Sequence, residues 1–204
     1  EWAIQRPELF DHLVPIATNA QHSPWGIAFN ESQRLAIEAD PSWKESRDDA
    51  GEVGLKAARA VAMLSYRNYN TYNATQGERS EKIDHFLAAS YQAYQGQKLV
   101  ERFNAFSYTA LSKAMDSHNI GRERGSVEEA LSKIQARTLV MGISSDLLFP
   151  IEEQARIAQN IKGADFVEID SLYGHDGFLI EFQAIERALR RFFGKHELKL
   201  SRRA

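Results

Sequence analysis

Two short stretches carry the residues best suited to chemistry. They are "ISSDLLFP" (143–150), which holds Asp146, and "YGHDGFL" (173–179), which holds His175 and Asp176. A carboxylate that accepts a hydrogen bond from a histidine Nδ1–H fixes one tautomer of the ring. The other ring nitrogen then becomes a competent general base. Placement matters as much as residue type. Asp146 follows the aliphatic and β-branched run "ARTLVMGI" (136–143), and His175 follows the alternating run "ADFVEID" (164–170). Both runs read as strands, and each functional candidate falls in the loop just beyond. Taken singly, such an Asp caps a turn and such a His fills a loop. After consecutive parallel strands, both belong to the carboxyl edge of the sheet, where open α/β sheets bind ligands. The order Asp then His is that of an α/β-hydrolase.

That fold needs a third member, a nucleophile on a strand–turn–helix G-x-S-x-G elbow ahead of the acid and base. The chain has no such motif: "GISSD" places Asp146 where the last Gly belongs, and "GRERG" has Glu at its centre. Either the set is incomplete, or the elbow precedes Glu1. The opening "EWAIQRPELFDHL" reads as the later part of a helix already under way, bent or ended at Pro7, as expected after such an elbow.

The remaining elements must position these loops. "HLVPIATNA" (12–20) reads as a buried strand, weakened by Pro15, which cannot donate to a ladder. From about Phe29 the texture becomes helical. "NESQRLAIEADPSW", "LKAARAVAMLSYRNYNTY", "IDHFLAASYQAYQGQKLVERF" and "AFSYTALSKAMDSHNI" form successive helices. Polar loops around Gly51 and Gly54, and over 73–83, separate them. Ser126 reads as a helix cap, with Glu129 completing a capping box. "IEEQARIAQNIKG" is a helix ended by Gly163, and "DGFLIEFQAIERALRRFFG" one long amphipathic helix closed by Gly194. This order implies an α/β protein whose parallel strands are joined by helical crossovers. Residues 1–28 and 121–204 form the sheet domain, and 29–120 a helical insertion.

Composition narrows the function classes. The chain has 204 residues with net charge −3, so no basic excess exists to hold nucleic acid or an anionic membrane. The basic tail "KHELKLSRRA" is short and reads as a solvated end. There are no cysteines, which excludes disulfide and thiolate chemistry. No apolar run approaches the roughly 18–20 residues that span a bilayer, and no signal peptide is visible. A cytoplasmic location fits. His12, His22, His85, His118 and His196 show no metal-ligand spacing. Gly121 and Gly125 bracket charged residues without the ending of a phosphate loop.

Several segments together resemble the homoserine O-acetyltransferase family: "ISSDLLFP", "YGHDGFL", "SKAMDSHNIGRERG" (112–125), "YQGQKLVERFNAFSY" (94–108) and "GLKAARAVAMLSYR" (54–67). The opening "EWAIQRPELFDHLVPIATNA" is similar to the segment just after that family's nucleophile motif, G-G-S-M-G-G. The likeness runs from Glu1 to about Phe193. It implies the C-terminal part of an α/β-hydrolase fold with an inserted helical lid, and a nucleophilic Ser upstream of Glu1. It also implies acetyl transfer from acetyl-CoA to homoserine in methionine biosynthesis, with acetyl-CoA as a substrate and no bound cofactor. Dimerisation through the lid helices is a further implication.

By the same resemblance Asp146 and His175 match the triad acid and base, and Asp176 the carboxylate that holds the homoserine ammonium. Arg59 matches the arginine that holds the homoserine carboxylate, and Tyr66 a tyrosine of that pocket. An amino-acid zwitterion needs one anion and one cation, and Arg offers a carboxylate two parallel contacts. From the residues alone, Arg59 reads equally as a surface arginine and Tyr66 as a helix-face aromatic. Three functions stand open at this point: the acetyltransferase, a related acyltransferase using succinyl-CoA or serine, and an inactive remnant or binding module.

Overall fold

The computed structural model describes residues 1–200, and the side chains of residues 1–194. The chain divides into two compact units. One joins Glu1–Ala20 to the chain from Ile120 onward, and the other is Gln21–Asn119. The side chains of the basic tail, His196 included, lie outside the described residues.

The first unit is built on a parallel sheet. Its middle strand, β2 (Arg137–Ile143), is buried along almost its whole length. It pairs on one side with β1 (His12–Leu13) and on the other with β3 (Asp165–Ile169), both parallel. The register sets His12 against Arg137 and Ile143 against Ile169. Side chains of β2 alternate between two apolar clusters. Val140 packs with Ile4, Leu131, Ile157 and Ile161, while Leu139, Met141 and Ile143 pack with Ile169 and Phe192. A period of two with both faces apolar is the pattern of a strand covered on both sides.

The strand expected over 12–20 is shorter than its apolar run. After Leu13 the pairing with β2 continues as a bridge from Ile16 to Met141. Pro15 contributes its carbonyl to the Met141 N–H at 2.9 Å but has no N–H to return. Ala17, at φ 46°, then turns the chain away.

Helices flank the sheet: α1 (Trp2–Gln5), α7 (Val127–Ser132), α8 (Ile151–Asn160), α9 (Gly177–Ile180) and α10 (Phe182–Leu200). Ser126 caps α7 as expected, its hydroxyl accepting the Glu129 N–H at 3.0 Å. The single long helix expected from Asp176 to Gly194 is not what forms. It breaks at Glu181 (φ −82°, ψ 40°), whose carboxylate accepts a 3.0 Å hydrogen bond from the Ser171 hydroxyl. It also runs past Gly194 without stopping there.

The second unit is helical: α2 (Pro24–Glu38), α3 (Glu52–Tyr66), α4 (Tyr69–Gln76), α5 (Leu87–Val100) and α6 (Ala105–Asp116). Its two chain ends meet in an antiparallel bridge, Gln21 with Asn119, supported by the His22 N–H on the His118 carbonyl at 2.9 Å. The helical run starts earlier than position 29, because the Ser23 hydroxyl accepts the Gly26 N–H and Pro24 fits the first turn. Residues read as one helix over 55–72 form two, since the Asn68 side chain caps a new start by accepting the Thr71 N–H. Gly54, read as a loop residue, sits in the first turn of α3. A Cβ there would lie 2.6 Å from the Ala36 carbonyl oxygen and from Ile37 Cα, so glycine lets α3 press against the backbone of α2. The core between the helices is Ile37, Leu55, Ala58, Leu99 and Ala105.

Asp40 organises the link from α2 to α3. One carboxylate oxygen accepts the Gly54 N–H at 2.9 Å, and the other accepts the Ser42 N–H and hydroxyl at 2.9 and 2.8 Å. These bonds, that from Gly54 foremost, hold its pKa below the usual carboxylate value. A depressed folded-state pKa contributes stability that is complete above the unfolded value, near 4, and lost as pH falls through the folded one. Asp40→Asn is therefore expected to destabilise the protein by about 2 kcal/mol at neutral pH. The gap between variant and wild type in thermal unfolding should shrink on going from pH 7 to pH 3. A gap that stays constant with pH argues against this role of the ionised carboxylate.

Candidate active site

Because β2 and β3 are parallel and adjacent, the loops beyond them emerge at the same edge of the sheet. Asp146 follows β2 and His175 follows β3, and the two meet: His175 Nδ1 lies 2.7 Å from Asp146 Oδ2. The Asp146 side chain is fully buried, while that of His175 retains 17% of its exposure. The other oxygen of Asp146 accepts the Leu148 and Phe149 N–H groups at 2.8 and 2.9 Å. Both oxygens are thus committed, and the carboxylate cannot swing. The imidazole lies between the rings of Phe149 and Phe178, with centroids 5.2 and 5.1 Å away. With Nδ1–H donated to Asp146, Nε2 is the nitrogen able to take up a proton.

The backbone beneath the imidazole is a 3-10 turn, Gly174–Asp176. Gly174 opens it at φ 64°, a left-handed conformation that glycine adopts at no steric cost. Asp176 is half-buried on the same turn, next to His175. Two serines after β2 cross to this loop. Ser144 Oγ accepts the Ser171 N–H at 3.1 Å and lies 3.3 Å from Asp170 Oδ1. Ser145 Oγ accepts the Gly174 N–H at 2.9 Å. Ser171 Oγ in turn accepts the Tyr173 N–H at 3.1 Å while donating to Glu181. Sequence reasoning placed Ser144 and Ser145 in the loop without a role, and passed over Ser171 and Glu181. The available signal was the pairing of serines with Asp directly after both strands, since short hydroxyl side chains satisfy backbone groups in turns.

Arg59 and Tyr66 lie on α3 in the helical unit, two turns apart on one helix face. The Arg59 guanidinium carbon sits 5.1 Å from the Tyr66 ring centroid, within cation–π range. Arg59 Nε is buried and meets no hydrogen-bond acceptor among the described residues. Tyr108 completes this group: its hydroxyl bonds to Gln33 Oε1. Burial first, and Tyr66 second, push its phenol pKa up, with Arg59 opposing them. The structure therefore gives two groupings, Asp146 with His175 and Asp176 in the α/β unit, and Arg59 with Tyr66 in the helical unit. Among the described residues, no three or more His, Asp or Glu gather as a metal site, and no helix is long and apolar enough to cross a membrane.

No family model matches the chain. Among curated proteins it is 47% identical over 193 residues to the homoserine O-acetyltransferase of Cyclobacterium marinum, an alignment that takes in 95% of this chain and 55% of that protein. Over almost its whole length the chain is similar to homoserine O-acetyltransferases. It spans about half the length of the curated relatives it matches. Among solved structures, the homoserine O-acetyltransferase of Staphylococcus aureus is 30% identical with a TM-score of 0.72, over 90% of this chain and 51% of that one. The homoserine O-acetyltransferase of Bacillus anthracis superposes with a TM-score of 0.87 over 94% of this chain and 55% of that one. At 23% identity, that match speaks to fold alone. The fold is that of the α/β-hydrolases, here a parallel sheet with flanking helices. Asp146 and His175 stand after consecutive strands of that sheet, each in the loop where its sequence put it.

Proposed function

We propose that these residues are part of a homoserine O-acetyltransferase that works by a ping-pong route through an acyl-serine. The nucleophilic Ser is supplied from outside the 204 residues, so this chain alone does not form the acyl-enzyme. The observation that carries the reading is the 2.7 Å contact between Asp146 and His175.

His175 Nε2 takes the proton of the Ser hydroxyl as its oxygen attacks the acetyl thioester carbonyl. The imidazolium is stabilised by Asp146, and its proton leaves with the coenzyme A thiolate. In the second half Nε2 takes the proton of the homoserine hydroxyl as that oxygen attacks the acyl-serine carbonyl. The proton then returns to the serine oxygen as the ester product departs. Arg59 holds the substrate carboxylate, Asp176 its ammonium, and Tyr66 the wall beside Arg59. Support for Arg59 is its buried Nε, a donor able to meet an anionic group. The reading also places the protein in methionine biosynthesis in the cytoplasm, as a homodimer through its helical unit, with acetyl-CoA as substrate and no bound cofactor.

The test is thiol release from acetyl-CoA by the polypeptide that contains these residues together with the upstream half. Without homoserine, one equivalent of coenzyme A is expected per active site. With homoserine, release should become continuous. Succinyl-CoA and serine serve as the comparison donor and acceptor. Absence of the burst, or faster turnover with either comparison substrate, overturns the reading.

A further inference from the structure

The bond between Asp146 and His175 has a neighbour that runs beside it. Ser145 and Gly174, each one residue earlier in its loop, are joined by the Gly174 N–H donated to Ser145 Oγ at 2.9 Å. The two loops are thus fastened at successive positions, one bond between side chains and one from backbone to side chain. Asp146 owes its position to its own loop, through the Leu148 and Phe149 N–H groups. The His175 turn opens on a left-handed Gly174 and is closed within itself by the Gly177 N–H, which reaches the Gly174 and His175 carbonyls. The contact to Ser145 ties the first residue of that turn to the loop that holds Asp146.

We infer that Ser145 is a positioning residue for the general base: by accepting the Gly174 N–H it sets the His175 turn at the height where Nδ1 meets Asp146. Gly174 is buried, so an N–H left without an acceptor there favours a shift of the turn toward another partner. Ser144 acts at a different point, on the Ser171 N–H at the start of the loop, which makes it the natural comparison. The inference rests on the acyl-transfer reading only for its kinetic arm.

The experiment is nitrogen-15 NMR of the 204-residue chain, tracking the His175 Nδ1 proton and the exchange rate of the Gly174 amide. In wild type the Nδ1 proton should resonate far downfield, as expected of an imidazole N–H donated to a carboxylate. Ser145→Ala should move it upfield and speed Gly174 amide exchange by roughly tenfold, the effect of losing one ordinary hydrogen bond. Ser145→Thr, which keeps the hydroxyl, should restore both, and Ser144→Ala should leave both unchanged. If the Ala variant does not fold, Ser145→Cys carries the test. It keeps the size of the side chain with a weaker acceptor, and should shift both signals in the same direction. An unchanged Nδ1 resonance in the folded Ala or Cys variant overturns the assignment.

In the full-length enzyme, Ser145→Ala should lower kcat by roughly tenfold with the KM for the acyl acceptor unchanged. A raised KM with unchanged kcat overturns the positioning role. If the NMR signals behave as expected and wild type transfers no acyl group, the positioning of His175 stands and the acyl-transfer reading falls.

Discussion

His175→Ala in the full-length protein is expected to abolish acetyl transfer, with kcat reduced by roughly four orders of magnitude or more. In the proposed route both halves of the reaction pass a proton through Nε2, so no step survives without the imidazole. The fold should survive. Asp146 keeps the Leu148 and Phe149 N–H groups on one oxygen, and the ring being removed is partly exposed. The paired measurements are steady-state turnover and thermal unfolding. Activity within tenfold of wild type in a folded variant would remove His175 from the role of base.

Asp146→Asn separates orientation from bulk. The amide oxygen of Asn can still accept the two backbone N–H groups that hold the carboxylate. Its NH2 then faces His175 Nδ1, where wild type presents an acceptor at 2.7 Å. The ring must accept at Nδ1 and carry its proton on Nε2, which leaves it unable to take one from a hydroxyl. The expected loss in kcat is roughly three to four orders of magnitude with the fold retained. The tautomer can be read directly on this chain from the nitrogen-15 shifts of the His175 ring. A variant in which Nδ1 remains protonated would show that something other than Asp146 sets the tautomer.

Local pattern revealed much of the α/β unit. The run 136–143 is β-branched and aliphatic enough to be read as a central strand, and it is one. That reading set the loop with Asp146, and the alternating run 164–170 set the loop with His175. The encounter of the two followed from parallel topology. What escaped depends on contacts between distant residues. Glu181 ends a helix whose periodicity continues smoothly, because Ser171 engages its side chain from the preceding loop. Gly54 stands in a polar stretch that suggests a loop, and only the backbone of α2 explains why a helix there requires glycine. Pro15 interrupts a run whose apolarity is otherwise strand-like, since apolarity reports burial and not the supply of ladder donors. Arg59 and Tyr66 came from the family resemblance alone. A cation and an aromatic on a helix face produce no periodic signal of their own.

The bridge between Gln21 and Asn119 bears on how the sheet assembles. Pairing β1 with β2 in an unstructured chain means closing a loop of roughly 120 residues, a separation that slows folding. Once the helical unit has formed, its ends are already adjacent, and the Ala20 carbonyl receives the Ile120 N–H at 3.0 Å just outside them. The flexible path left to close is then roughly two dozen residues, which lowers the entropic cost of closure by about 1.4 kcal/mol. The inserted helices thus act as a shortcut along the chain, and a sheet of high contact order assembles as if its strands were near neighbours in sequence.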